Sequence, residues 1–164
     1  MKSAALLLAS GYEEGEAINI IDILRRLGIK LTILSCENDI FLTSYHDVVI
    51  RADDYLSNNI DAIYDVLILV GGPPNTDKLG SDCTVINIIK KHINAGSYIA
   101  AICSSAAKVL AKNNLLNNHH YVCCSDFYKS FSDGIYTDFP LVLDGKFITA
   151  LLPKSIEPFP SPAI

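Results

Sequence analysis

Charge is scarce in this chain, at 19% of 164 residues, and what there is leans acidic, with a net charge of −5. No basic stripe runs along it; Arg25-Arg26 and Lys90-Lys91 are isolated pairs. A nucleic-acid footprint is therefore not expected. No apolar run approaches the roughly 18 residues that a spanning helix needs. The stretch Ala4–Ala9 is too short for a signal sequence, and a glycine turn stands where a cleavage site belongs. A cytoplasmic protein without membrane partners is the expectation. There is no C-x-x-C pair, and five cysteines is an odd number. A zinc framework and a secreted disulfide scaffold are both disfavoured, so the thiols are expected free. Neither a G-x-G-x-x-G nor a Walker spacing occurs, which disfavours a nucleotide site.

Half of the residues are apolar, enough for one domain with a substantial core. Ser3–Ala9 is a short continuous apolar run, as in a strand buried on both faces. Ala17, Ile20, Ile21, Leu24 and Leu27 then recur at helical spacing, Gly28 stops the helix, and 29–34 is a second strand. This strand–helix–strand order in just over thirty residues predicts a right-handed parallel unit. A short ribbon over 41–50, a strand over 65–70, a helix over 81–95 capped by Ser81, a strand over 97–102, a helix over 104–112, a strand over 121–124 and a hairpin over 141–150 turning at Asp144-Gly145 complete the pattern. The fold class predicted is α/β with a mostly parallel central sheet. The domain is expected to span residues 1–151. The remainder, 152–164, carries Pro153, Pro158, Pro160 and Pro162, a density that forbids a regular helix.

Sites in parallel α/β sheets form beyond the carboxyl ends of strands. Three features stand at such ends: the turn from Gly11 to Glu16, the Gly71-Gly72 pair, and Cys103. Cys103 lies on a strand-to-helix turn of the nucleophile-elbow kind, where backbone N–H groups and a helix start are expected to lower the thiol pKa. The plain alternative is a small core thiol. Glu16 is either a solvated first-turn carboxylate or a carboxyl pressed against Cys103, raised in pKa and fit to move protons. Gly71 and Gly72 permit close backbone approach and oxyanion binding. The pairs His119-His120 and Cys123-Cys124 suggest a metal, but adjacent strand residues face opposite ways, so no metal site is expected. His46 and His92 have no evident partner.

Gly11-Tyr12-Glu13-Glu14-Gly15-Glu16, Val70-Gly71-Gly72 and Ala100-Ala101-Ile102-Cys103, in this order and spacing, resemble the ThiJ/PfpI superfamily in its Parkinson-disease-protein (deglycase) branch. The resemblance covers about residues 1–150. It implies a flavodoxin-like sandwich, like the class I glutamine amidotransferases, that usually dimerises. It further implies a reactive Cys103 hydrogen-bonded to a protonated Glu16, with the N–H groups of Gly72 and Ser104 forming an oxyanion site. The implied activity is a cofactor-free glyoxalase or deglycase acting on small α-oxoaldehydes such as methylglyoxal and glyoxal. The alternatives are a redox-sensing stress protein without turnover and a degenerate family member. Three departures stand out. Cys124-Ser125 occupies the place where the family often has His-Pro, which makes Cys124 a possible redox partner of Cys103. Ser104 replaces the histidine of the peptidase branch, and proteolysis is not expected. The final strand runs into the proline-rich tail rather than into the long C-terminal helix of the family.

Overall fold

Ala4 through Leu8 are all buried, so strand β1 (Ser3–Leu8) has water on neither face and must lie inside the sheet. The computed structural model describes residues 2–151, and β1 is there flanked by a parallel neighbour on each side. Helix α1 (Glu14–Arg26) carries the chain over to β2 (Lys30–Ser35), which pairs with β1 in parallel from Ser3↔Lys30 to Leu8↔Ser35. Gly28, with φ 71°, takes the left-handed position just past the helix, which a side chain would strain. A small antiparallel ribbon, β3 (Phe41–Thr43) with β4 (Val49–Arg51), is followed by the two-residue edge strand β5 (Asp54–Tyr55).

The chain then crosses to the other side of β1. Strand β6 (Val66–Leu69) pairs with β1, helices α2 (Pro73–Leu79) and α3 (Cys83–Asn94) follow, and β7 (Tyr98–Ile102) pairs with β6. A π-helical turn at Ala106–Leu110 and a 3₁₀ turn at Ala111–Asn113 lead to the short pair β8 (His120–Tyr121) and β9 (Ile135–Tyr136). The hairpin β10 (Leu141–Asp144) and β11 (Phe147–Ala150) closes the sheet by laying β11 parallel to β7. The order is β10-β11-β7-β6-β1-β2-β5, parallel throughout except for the edge strand β10. This is the α/β architecture with a mostly parallel central sheet that the element pattern predicts.

Alternation along the strands builds two cores. Ala5, Leu7, Leu67, Leu69, Ile99 and Ala101 face α3 and the π-helical turn. Ala4, Leu6, Leu8, Ile33 and Ile68 face the side of α1 and the ribbon. Each fully buried leucine stabilises the fold by about 1.5–3 kcal/mol. Among the described residues the second side is less completely covered. Beside α1 an apolar groove of about 420 Å³ lies open, lined among others by Ala4, Ile20, Leu24, Ile68, Ala100 and Ile148.

Several local expectations are corrected. The cap of α3 is Asp82, whose carboxylate accepts from Thr84 N and Val85 N, while Ser81 Oγ receives Lys112 Nζ. A carboxylate suits that position because it meets both open N–H groups and the positive helix end. The hairpin turns at Gly145-Lys146, since Asp144 still pairs with Phe147. The strand expected over 121–124 ends at Tyr121, because Val122 N turns to Thr149 Oγ1 and Cys124 N to Cys103 O. Helix α2 has no counterpart in the sequence reading, although Pro73 and Pro74 at its first positions are a helix-start signal. The tail expected over 152–164 lies outside the described residues.

Candidate active site

Strands β2 and β6 flank β1 on opposite sides, so the chain direction reverses between the carboxyl ends of β1 and β6. Such a switch point leaves a crevice between diverging loops. The turn after β1, the Gly71-Gly72 pair after β6 and Cys103 after β7 all open there.

Cys103 has φ 61°, in the left-handed region that non-glycine residues adopt at a cost of about 1–2 kcal/mol. Its surroundings hold it there. Its N–H donates to Ala150 O (2.9 Å), and its carbonyl accepts from Cys124 N (3.3 Å). Ser105 Oγ ties the next turn back to Ile102 O (2.7 Å) and to Leu69 O (3.1 Å). The elbow is therefore fixed from β11, β6 and the Cys124 segment at once.

Glu16, in the first turn of α1, is buried, with 3% of its surface exposed. Its Oε2 accepts from Gly71 N at 2.5 Å, and its Oε1 is buried with no hydrogen-bond partner among the described residues. Burial raises its pKa from 4.5 to about 7, against the lowering pull of the Gly71 N–H and the Cys103 thiol. A carboxyl so placed is partly protonated at neutral pH. Gly71 is the hinge of this contact: a Cβ there would meet Cys103 Cβ at 2.9 Å and Glu16 Oε2 at 3.0 Å. Because Glu16 occupies the Gly71 N–H, that group is not open to an oxyanion. The N–H groups of Gly72 and Ser104 have no oxygen acceptor among the described residues, and Ser104 N interacts with the Cys103 sulfur.

The electrostatics of Cys103 differ from expectation. The Cys124 thiol, burial and the Glu16 carboxylate together push it above the ordinary thiol range, and the Ser104 N–H only partly offsets them. Cys124 moves the opposite way, below the ordinary range, because Cys103 donates to it. The two thiols are thus coupled, and Cys124 is the more easily ionised of the pair. The helix start alone, as read from the sequence, misses this because the partner thiol lies 21 positions further along the chain.

Two site-building residues escaped the sequence reading. Asn75 is fully buried; its Oδ1 accepts from Ala9 N (2.8 Å), while its Nδ2 donates to Val70 O (2.9 Å) and Gly71 O (3.1 Å). It clamps the ends of β1 and β6 together. Thr76 Oγ1 donates to Gly72 O and lies 3.4 Å from Ser104 Oγ. Both belong to α2, and the helix-start prolines were the available signal.

The histidines find their partners elsewhere. His46 Nδ1 pairs with Glu14 Oε1 at 2.7 Å. His92 is buried between Ile88 O and Tyr64 N. His119 turns to Leu116 O and His120 to Asp144. Cys123 enters the α3-side core while Cys124 faces Cys103. Neither vicinal pair therefore converges on one ion. Glu13, Glu14 and His46 do bring ligand atoms within 4.8 Å of one another, but Glu13 accepts from Gly15 N and Glu14 from His46, so ordinary contacts account for them.

Comparison with known proteins places this geometry. Residues 2–163 match the model of the DJ-1/PfpI family. Protein dj-1beta of Drosophila melanogaster is 37% identical over 112 residues, 68% of this chain and 59% of that protein. DJ-1 homolog B of Arabidopsis thaliana is 29% identical over 96% of this chain and 36% of that protein. The chain thus spans between about a third and three-fifths of these relatives. A solved DJ-1 superfamily protein from Salmonella typhimurium superposes with TM-score 0.90 at 42% identity, over 92% of this chain and 82% of that one. Oxidised DJ-1 from Toxoplasma gondii does so with TM-score 0.89 at 28% identity, over 94% and 84%.

Proposed function

The chain belongs to the DJ-1/PfpI family, and from that premise we propose that it is a cysteine-dependent, cofactor-free enzyme of glyoxalase or deglycase type, acting on small α-oxoaldehydes or their adducts. The observation that carries this reading is the convergence of three groups at the switch point. They are a cysteine at φ 61°, a buried carboxyl with a pKa near 7, and two N–H groups without an oxygen acceptor among the described residues. A second copy of the chain is its expected partner.

The steps follow from the residues. Cys103 sulfur attacks the aldehyde carbon, and its proton passes along the hydrogen bond to the Cys124 sulfur. The developing oxyanion is held by the Gly72 and Ser104 N–H groups, the kind of stabilisation that dominates acyl and carbonyl chemistry. The hemithioacetal so formed has a ketone next door. Glu16, near its midpoint at neutral pH, takes the proton from one carbon and returns it to the other through an enediol. The product is a thioester, which water hydrolyses to a 2-hydroxy acid while Cys103 regains its proton. Carbon is oxidised at one centre and reduced at its neighbour, so no external redox agent is needed.

The test is methylglyoxal consumption by the purified protein without glutathione, beside Cys103→Ser. Formation of lactate that disappears in the variant is the expected result. A folded wild-type protein that leaves the aldehyde untouched overturns the reading.

A further inference from the structure

Helix α1 leaves its apolar stripe unfinished. Of its 13 residues only Glu16 and Ala17 are buried, while Ile20 and Leu24 pack against the core on their side of the sheet and stay half-open. An amphipathic helix ordinarily buries that whole stripe. Here the space left between α1 and the sheet is the groove of about 420 Å³, and its walls are almost wholly apolar. Its floor is one face of β7. Tyr98, Ala100 and Ile102 alternate along that strand and all line the groove, with Ile148 of β11 beside them. Four steps of strand span about 13 Å, the length of an extended chain of roughly ten carbons.

The groove has one polar end. At the amino end of β7 it meets a second cavity, of about 380 Å³, with which it shares Lys2, Ser3, Asp65 and Tyr98. Lys146 belongs to that opening. Its Nζ rests 4.0 Å from the centre of the Tyr98 ring, and among the described residues no carboxylate lies within ion-pair distance of it. Lys2 Nζ lies 3.8 Å from Asp65, which is already held by the Ser3 N–H (2.8 Å) and hydroxyl (3.1 Å). Two cations therefore stand at the mouth against one satisfied carboxylate. Among the described residues the rest of the groove carries no charge.

We propose that this groove is a binding site for a free medium-chain fatty carboxylate, its acyl chain lying along β7 beside α1 and its head held by Lys146 and Lys2. The charge pattern selects the occupant. A carboxylate gives Lys146 the anion it lacks. A neutral chain leaves that ammonium unpaired, and a cationic head is repelled by it. The position between helix and sheet admits one chain and not the surface of a bilayer. Cys103, Glu16, Gly72 and Ser104 line no part of the groove, so the site is distinct from the crevice where the aldehyde chemistry is placed. Each methylene taken up along the floor tightens binding by about two- to fourfold, until the chain outruns β7 near ten carbons.

The experiment titrates the whole chain by calorimetry with octanoate, decanoate, dodecanoate and decanol, each below its micelle concentration. The expected result is saturable, one-to-one uptake of decanoate, roughly four- to sixteenfold tighter than octanoate, with dodecanoate no better and decanol weaker. Lys146→Gln is expected to weaken decanoate by about two- to fivefold and to leave decanol unchanged; Ile148→Lys is expected to weaken both. A folded wild-type chain that takes up no decanoate overturns the proposal. So does decanol bound as tightly as decanoate. A dimer that Ile148→Lys splits, with no decanoate bound, assigns the groove to a second copy of the chain instead. The wild-type series decides even if Ile148→Lys fails to fold. Aldehyde turnover plays no part in the readout, so this site and the proposed activity stand or fall separately.

Discussion

Glu16 concentrates the titration behaviour of the site. Its carboxyl has pKa 4.5 as an ordinary side chain and about 7 in the fold, chiefly through burial. The folded protein therefore holds this proton more tightly than the unfolded chain between those values. The stabilisation is complete below pH 4.5, falls as pH rises from 4.5 to 7, and is gone above; a shift of this size corresponds to roughly 3 kcal/mol. Glu16→Gln is isosteric and cannot ionise. Denaturant unfolding at pH 5 and pH 7.5 is expected to show a smaller loss of stability in the variant than in the wild type, while aldehyde turnover drops by about 10²-fold or more. An equal loss in both proteins would mean that Glu16 stays ionised. The position of Glu16 was legible in the sequence, because a carboxylate one turn into the first helix stands at the strand end where sites form. The raised thiol of Cys103 was not: the sequence offered Cys124 as a possible redox partner, but which of the two thiols is raised is set by the direction of the hydrogen bond between them, which leaves no local pattern.

At the level of elements, α2 does more than connect. A seven-residue helix is too short to persist alone, yet Asn75 and Thr76 secure the loops after β1, β6 and β7. Asn75→Ala leaves the buried Ala9 N–H and Val70 O without this partner, while Gly71 O keeps the Glu13 N–H. The expected loss is about 2–3 kcal/mol, read as a fall in Tm of roughly 4–12 °C by calorimetry; a Tm within one degree of wild type would show that water replaces the clamp. The long elements were readable because their periods are strong: four apolar residues at helical spacing in α1 with Leu27 at its cap, and continuous apolar runs in β1 and β6. The short ones were not, because β8 and β9 are only two residues each and α2 is half loop-like in composition. Cap position is likewise set by which side chain reaches two N–H groups, and Ser81 and Asp82 are adjacent candidates that only geometry separates.

For the whole molecule, the two faces of the sheet are unequal. One is closed by α3 and the π-helical turn; the other keeps an apolar groove of about 420 Å³ beside α1. Open apolar surface of this kind binds amphiphilic dyes. The protein is expected to enhance anilinonaphthalene sulfonate fluorescence in its native state, and Ile148→Lys to reduce that signal severalfold without unfolding. A native protein silent toward the dye would show the groove to be covered in solution. The sheet order has a temporal consequence as well. β1 finds its β2 partner 27 positions away, Ser3 against Lys30, but its other edge waits for Val66, 62 positions beyond Ala4. On the ribosome, an apolar strand with one bare edge must therefore persist until nearly half of the chain has been made. Such edges pair with whatever strand arrives first. The switch point that creates the site is the seam at which that waiting edge of β1 is finally covered.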